Sequence, residues 1–299
     1  MIPSWLLIAL AGYLLLAIVQ IGDRFILGAA IPDPIVYVFT IGAVTGLASI
    51  PFALFVFSWS GVMPFVLAAL GGMCFLFGLI PFFGALQQGE ASQVIPATGG
   101  LTTIATFALA ALFLGEALTI PALTAFFFLF SGYILMTLEG PISLLWHELD
   151  WRINLAGLLI GGSFVLRRAA FLLQPFLSGF VTVAFGMGFA AILLILLPSI
   201  RRRILASRNS TRPKKIGLVI ANQAGGGLAG VFINLAVARG PVALVQAMQG
   251  TQYIFLLLFA MGLTKFFPNV LKETFSRKAF LRKSAGTLVI TVGVAALLL

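Results

Sequence analysis

Three glutamines, Gln246, Gln249 and Gln252, recur at every third residue inside an apolar stretch. This spacing places their amides along one side of a helix, and each amide carries hydrogen-bond donors and an acceptor. Polar side chains in apolar helices cost free energy unless they have partners, so they are expected to face the interior of a helix bundle. The amides either line a cavity and bind a polar solute or join neighbouring helices, and both interpretations stay open at this point.

Two other apolar stretches carry similar groups. Asn222, Gly226, Gly230 and Asn234 follow one another at four-residue intervals, and small residues at this spacing allow either close helix packing or a helix break that meets a ligand. A further stretch combines amide, hydroxyl, proline and glycine residues. The predicted substrate-binding residues are Gln93, Thr98, Asn222, Gln223, Asn234, Gln246, Gln249 and Gln252.

Four charged residues near helix ends are candidates for coupling or for attracting an anion: Asp23, Arg24, Glu90 and Arg168. Interfacial anchoring is the alternative for Asp23 and the two arginines, and Glu90 could instead cap the helix that it begins. No Asp or Glu lies at the middle of a predicted span. A facilitator or exchanger is therefore favoured over a proton antiporter.

The chemistry of an enzyme is not indicated. The single histidine, His147, lies in a polar segment with Glu148 and Asp150, where neither a metal site nor a Ser-His-Asp arrangement of suitable spacing can be assembled. We therefore predict no enzymatic activity, no metal and no cofactor.

The elements that must position these residues are membrane spans. The chain has 299 residues, of which 61% are hydrophobic and 9% charged, whereas soluble domains carry about 25% charged residues. At about 20 residues a span, the apolar stretches predict an all-α membrane protein with ten transmembrane helices. Their predicted bounds are 3–20, 35–57, 62–86, 91–114, 119–138, 153–173, 175–198, 216–237, 241–263 and 284–299.

The ten spans divide into two sets of five. The predicted parts are a first repeat at 1–138, a connecting loop at 139–152 and a second repeat at 153–299. Because five is odd, the second copy enters the membrane from the opposite side, which gives an inverted-topology repeat of the kind that many transporters use for alternating access. One constant offset in the chain supports duplication: Ala85, Gly89, Val94 and Gly99 match Ala236, Gly240, Val245 and Gly250.

The net charge of +10 is interpreted as topology. Fifteen of the 18 Lys and Arg residues fall on one side of the ten predicted spans, so the positive-inside rule makes the basic segments 199–215 and 264–283 cytoplasmic and puts both termini outside. Segment 264–283 is either an amphipathic helix that binds anionic lipid or a solvated basic loop. The predicted location is the plasma (inner) membrane, and no nucleic-acid motif accompanies either segment.

Two motifs resemble the drug/metabolite transporter superfamily, in particular its EamA-like members. Residues 110–119 (AALFLGEALT) are similar to that family's end of the fourth helix, and residues 240–247 (GPVALVQA) to its start of the ninth. The resemblance implies a transporter with a cavity walled by helices one, three, four, six, eight and nine. It also implies cytoplasmic termini, which contradicts the charge distribution; we follow the charge.

Three functions are therefore compared. The first is a multipass transporter that moves a small polar or amphipathic solute, such as a metabolite, amino acid or drug, by alternating access. The second is a lipid-handling or structural membrane protein, and the third is a membrane-embedded enzyme. The transporter agrees best with the apolar spans, the intramembrane amides and the two halves.

Overall fold

The computed structural model describes residues 3–29, 31, 33–88, 91–116, 119–137, 151–207, 213–266 and 277–296. Nearly all of them are helical, and the described residues include no strand. The helices are α1 (Ser4–Ala29), α2 (Pro34–Val56), α3 (Val62–Gln88), α4 (Ala91–Leu114), α5 (Ile120–Thr137), α6 (Trp151–Leu173), α7 (Phe176–Leu196), α8 (Pro198–Ser207), α9 (Pro213–Arg239), α10 (Val242–Ala247), α11 (Gln249–Phe266) and α12 (Arg277–Ala296).

The chain is an all-α, multipass membrane protein. Within the described residues, seven helices are long and apolar enough to cross a membrane: α1, α2, α3, α4, α6, α7 and α9. Helices suit a bilayer because each backbone N–H and C=O is paired inside its own segment. Large apolar side chains such as Leu54 and Phe55, 81% and 87% exposed, point outward from the bundle, where lipid rather than water suits them.

The prediction of one helix over 241–263 is wrong, because that stretch divides into α10 and α11 at Met248. The N–H of Thr251 donates to the carbonyl of Met248 at 2.9 Å, and the Thr251 hydroxyl donates to the same oxygen at 2.7 Å. This backbone hydrogen bond joins residues three positions apart, which is the tighter 3₁₀ pattern, whereas an α-helix joins residues four apart. The regular register of the three glutamines is therefore interrupted between the first and the second.

The basic segments also differ from expectation. Most of α8 (Pro198–Ser207) falls in the basic segment 199–215, which is predicted as a loop. Its Arg203 makes an ion pair with Asp33 at the start of α2, with distances of 2.7 and 2.8 Å. The last helix begins at Arg277 rather than residue 284. Residues 267–276, the middle of the segment predicted as an amphipathic helix or a basic loop, lie outside the described residues, as does most of the predicted connecting loop.

The helices pack in pairs, most extensively α3 on α6, α5 on α12, α1 on α9, α4 on α6, and α2 and α3 on α7. Glycines bring the backbones of α2 and α3 into contact with that of α7. A Cβ on Gly46 of α2 would lie 2.6 Å from the Cα of Gly188 in α7, and a Cβ on Gly72 of α3 would meet the carbonyl oxygen of Val183 in α7. We call these contacts between α2, α3 and α7 the glycine seam.

Candidate functional site

A cavity of about 250 Å³ lies inside the bundle. Its wall draws residues from α1, α2, α3, α4, α6, α7, α9, α10 and α11. These include every helix that the family resemblance implied, with the second and seventh predicted helices in addition. Most of the wall is apolar, and its phenylalanines are Phe75, Phe82, Phe83, Phe164 and Phe180.

Most of the predicted substrate-binding residues reach this cavity. Six line it: Thr98, Asn222, Gln223, Asn234, Gln246 and Gln249. Gln252 is fully buried but is not part of the wall, and neither polar atom of its amide has a hydrogen-bond partner among the described residues. Gln93 belongs to α4, but its side chain is outside the described part of the structure.

The charged residues predicted for coupling or anion attraction do not all lie at the cavity. Asp23 lines the cavity, whereas Arg168 does not. Arg24 lies in α1, but its side chain is not among those the structure describes, and Glu90 lies outside the described residues altogether. The prediction of these residues for coupling or anion attraction can therefore be followed here for Asp23 and Arg168 alone.

The amide of Gln246 belongs to a buried link between α1 and α10. The hydroxyl of Tyr13 donates to the carbonyl of Val245 at 2.8 Å, and Nε2 of Gln246 donates to that hydroxyl at 3.4 Å. Two further amides in the cavity wall have unpaired acceptors: Oε1 of Gln20 and Oε1 of Gln249 are buried and have no partner among the described residues. The wall thus combines satisfied polar groups with carbonyl oxygens that a solute donor could bind.

Asp23 joins three helices. One of its carboxylate oxygens, Oδ1, accepts a very short hydrogen bond from the hydroxyl of Tyr37 in α2 and another, of 2.7 Å, from Nδ2 of Asn222 in α9. Sequence reasoning singled out Asp23 and Asn222 but missed Tyr37, since nothing in the sequence relates the end of α1 to the start of α2. These bonds hold the carboxylate at one end of the cavity.

Arg167 is the charged residue of α6 that lines the cavity, and it is only 4% exposed. Its Nε donates to the carbonyl of Ser163 at 3.1 Å, and Nη1 donates to Oδ1 of Asn234 at 3.1 Å. The guanidinium carbon lies 4.2 Å from the ring centroid of Phe164 and 5.0 Å from that of Phe75, which is favourable cation–π geometry. The sequence did carry a signal for it, because Ser163 lies one turn earlier on the same helix face.

Its neighbour Arg168 has a structural role instead. Nε donates to Oε1 of Glu116 at 3.0 Å, and Nη1 donates to the carbonyls of Val237 and Ala238 near the end of α9, at 3.0 and 2.8 Å. The other oxygen of Glu116 accepts the backbone N–H of Val242 at the start of α10. This ion pair therefore ties the end of α4 to α6, α9 and α10.

The position of Glu116 follows from its sequence neighbour. Gly115 has φ +62, in the left-handed region that glycine adopts without steric cost. The chain therefore turns sharply after α4. Thus the Leu114-Gly115-Glu116 motif noted in the sequence builds a joint between helices.

Three glycines of α9 form part of the cavity wall, and two of them face open space. Gly226, Gly227 and Gly230 line the cavity, and a Cβ on Gly227 or Gly230 would meet no atom within 4 Å. Unlike the glycine seam, they are not needed for close approach of another helix. They widen the cavity instead.

The described residues contain no group of three or more His, Cys, Asp or Glu that could hold a metal ion. No protein-family model matches the chain, and no curated protein matches its sequence. One solved structure, described only as "Crystal structure of protein", is similar in fold, with a TM-score of 0.66 and 15% sequence identity over 100% of this chain and 99% of its own. At that identity the likeness concerns the fold alone.

Proposed function

We propose that the protein is a membrane transporter that moves a small solute by alternating access. The observation that carries this proposal is the cavity of about 250 Å³ with its intramembrane amides, Asp23 and Arg167 in an otherwise apolar wall. Polar side chains buried at membrane depth are costly and commonly mark a solute pathway. An anchoring protein has no need for such a cavity.

The pairing of helices supports two related halves. Suppose that α1 corresponds to α6, α2 to α7, α3 to α9, α4 to α10 with α11, and α5 to α12. Exchanging the two halves then converts the α1–α9 pair into the α6–α3 pair. It also converts α4–α6 into α11–α1, and it maps α2–α7 and α5–α12 onto themselves. All of these pairs pack against each other. The bounds of α3 and α9 show the same separation along the sequence. Val62 is as many residues before Pro213, and Gln88 before Arg239, as Ala85 is before Ala236 in the offset noted above.

Inverted-repeat transporters use such paired halves for alternating access, in which one repeat or bundle of helices moves against another around a central site. The pairing also agrees with the resemblance to the drug/metabolite transporter superfamily, which we keep as a proposal. We further propose the plasma membrane as location, external termini from the charge distribution, and contact of the basic segment 264–283 with anionic lipid.

We favour a facilitator or exchanger over a proton antiporter. Asp23 is the one carboxylate among the described residues that lines the cavity, and it lies toward the end of α1, engaged by two donors. A relay of carboxylates at the middle of the spans, as many proton-driven pumps use, has no counterpart in the described helices.

Counterflow into proteoliposomes tests the proposal. Purified protein is reconstituted, the liposomes are preloaded with one unlabelled solute at a time from a broad panel of metabolites, amino acids and drugs, and uptake of the same labelled solute is measured against protein-free liposomes. We expect transient accumulation of at least one solute. A correctly folded protein that moves none of them would refute transport and favour the lipid-handling or structural alternative.

A further inference from the structure

The end of the cavity at Arg167 has the properties of an anion-binding site. The guanidinium is 4% exposed within a helix that is apolar enough to span the membrane. Its three acceptors, the carbonyl and hydroxyl oxygens of Ser163 and the amide oxygen of Asn234, are all neutral. A buried charge is costly unless it is paired, and neutral acceptors only partly offset this cost.

The counter-ion is missing from the described residues. Their three carboxylates are Asp23, Asp33 and Glu116; the last two form ion pairs with Arg203 and Arg168. Asp23 binds Asn222 and Arg167 binds Asn234. These two asparagines are twelve residues apart on α9, so at 1.5 Å per residue their Cα atoms lie about 18 Å apart along that helix.

The guanidinium retains capacity for a ligand. It has five N–H donors, and three are engaged by the protein, one each on Nε, Nη1 and Nη2. One N–H on each of the two terminal nitrogens has no partner among the described residues, and a guanidinium can bind a carboxylate through one N–H on each of these nitrogens. Phe75 and Phe164 stack on the cation and make its surroundings apolar, which strengthens a charge-assisted hydrogen bond.

We propose that Arg167 binds the carboxylate of a small organic monoanion with an apolar body, and that this is the class of solute which the transporter carries; the second part rests on the proposed function. One cation pairs with one anionic group. An α-amino acid suits the site poorly, because its ammonium group lies next to its carboxylate and cannot reach Asp23, whose partner Asn222 lies about 18 Å along α9 from Asn234.

Ligand binding to purified protein in nanodiscs tests the site. The probes are two carboxylates, phenylacetate and hexanoate, their amides, which have the same shape without the charge, and the inorganic anions chloride and phosphate. Binding is measured by the shift in melting temperature and by titration calorimetry. We expect at least one carboxylate to bind tenfold or more tightly than its amide. Equal binding within a pair, binding of neither carboxylate, or binding of inorganic anions only would overturn the proposal.

Variants assign the effect to the residue. Arg167→Gln should reduce the preference for carboxylate over amide to less than twofold, and Arg167→Lys, which keeps the charge but not the paired donors, should leave an intermediate preference. Arg202→Gln removes one positive charge from the exposed helix α8, outside the cavity wall, and should leave the preference unchanged. If the glutamine variant does not fold, an unaltered preference in the lysine variant refutes the role of the paired donors.

The two proposals fail in different ways. Counterflow that carries only neutral or cationic solutes would leave a transporter but refute its substrate class. Carboxylate binding that depends on Arg167, without counterflow of any solute, would leave the anion site but refute transport.

Discussion

Filling the cavity from α9 is expected to block transport without weakening the fold. Gly230 lines the cavity, and a side chain added there meets no atom within 4 Å. Its carbonyl accepts a hydrogen bond of 2.8 Å from Asn234, which also binds Arg167, so an added side chain would enter the cavity one helical turn before this asparagine. The test is Gly230→Leu.

The size of the effect follows from the volume. A leucine side chain adds four carbons, and if each occupies roughly 25 Å³, slightly less than the ~30 Å³ share of a water molecule, the substitution takes up about 100 Å³. That is about two-fifths of the cavity of about 250 Å³. Replacing glycine inside a helix also removes a backbone-entropy cost of about 0.5–1 kcal/mol. We therefore expect at least a tenfold loss of counterflow and an equal or higher melting temperature.

Two variants on the same helix calibrate this result. Gly230→Ala adds one carbon and should keep most of the activity. Gly217→Leu makes the same exchange as the blocking variant, also in open space, at an exposed position outside the cavity wall, and should transport normally. Normal counterflow by Gly230→Leu, or an equal loss in Gly217→Leu, would refute the assignment of this cavity to the solute pathway.

Three further predictions concern the joints of the fold and the coupling. Glu116→Gln should lower the free energy of unfolding by about 1.5–3 kcal/mol, because it weakens charge-assisted hydrogen bonds. In a double-mutant cycle with Arg168→Gln, measured by thermal unfolding, the double variant should lose less stability than the two single variants together. Gly186→Ala puts a methyl group against the carbonyl of a neighbouring helix and should cost about 1–3 kcal/mol; Gly162→Ala, whose nearest atom would be 3.8 Å away, should not lower the melting temperature. Asp23→Asn should leave the pH profile of counterflow unchanged, and a profile that flattens would instead indicate proton coupling.

The sequence is most informative where bulk properties decide the structure. Hydropathy alone predicts helices that span a membrane, because the bilayer demands length and apolar character from each of them. The polar groups are also informative, since few helix faces can accept them. This is why Asn222, Asn234, Gln246 and Gln249 converge on one cavity.

Neighbouring residues show where such reasoning stops. Arg167 and Arg168 are the same residue type, and in the sequence only the serine one turn before Arg167 distinguishes them. One lines the cavity and the other ties helix ends together, because adjacent residues on a helix point in directions about 100° apart. The rotation of α6 about its own axis determines which of the two side chains faces the cavity. Gln252 diverges from Gln246 for a similar reason, since six residues further along a helix a side chain points about 120° away.

The glycine seam constrains how the cavity could open. Where backbone lies directly against backbone, as between Gly46 and Gly188, no side chain stands between the helices to change rotamer and absorb a shift. We therefore expect α2, α3 and α7 to move together, although α7 belongs to the second half, so the moving bodies would combine helices of both halves. Displacement must be taken up at joints that side chains mediate, such as the link from Tyr13 to α10, which makes that link a natural pivot for the transport cycle.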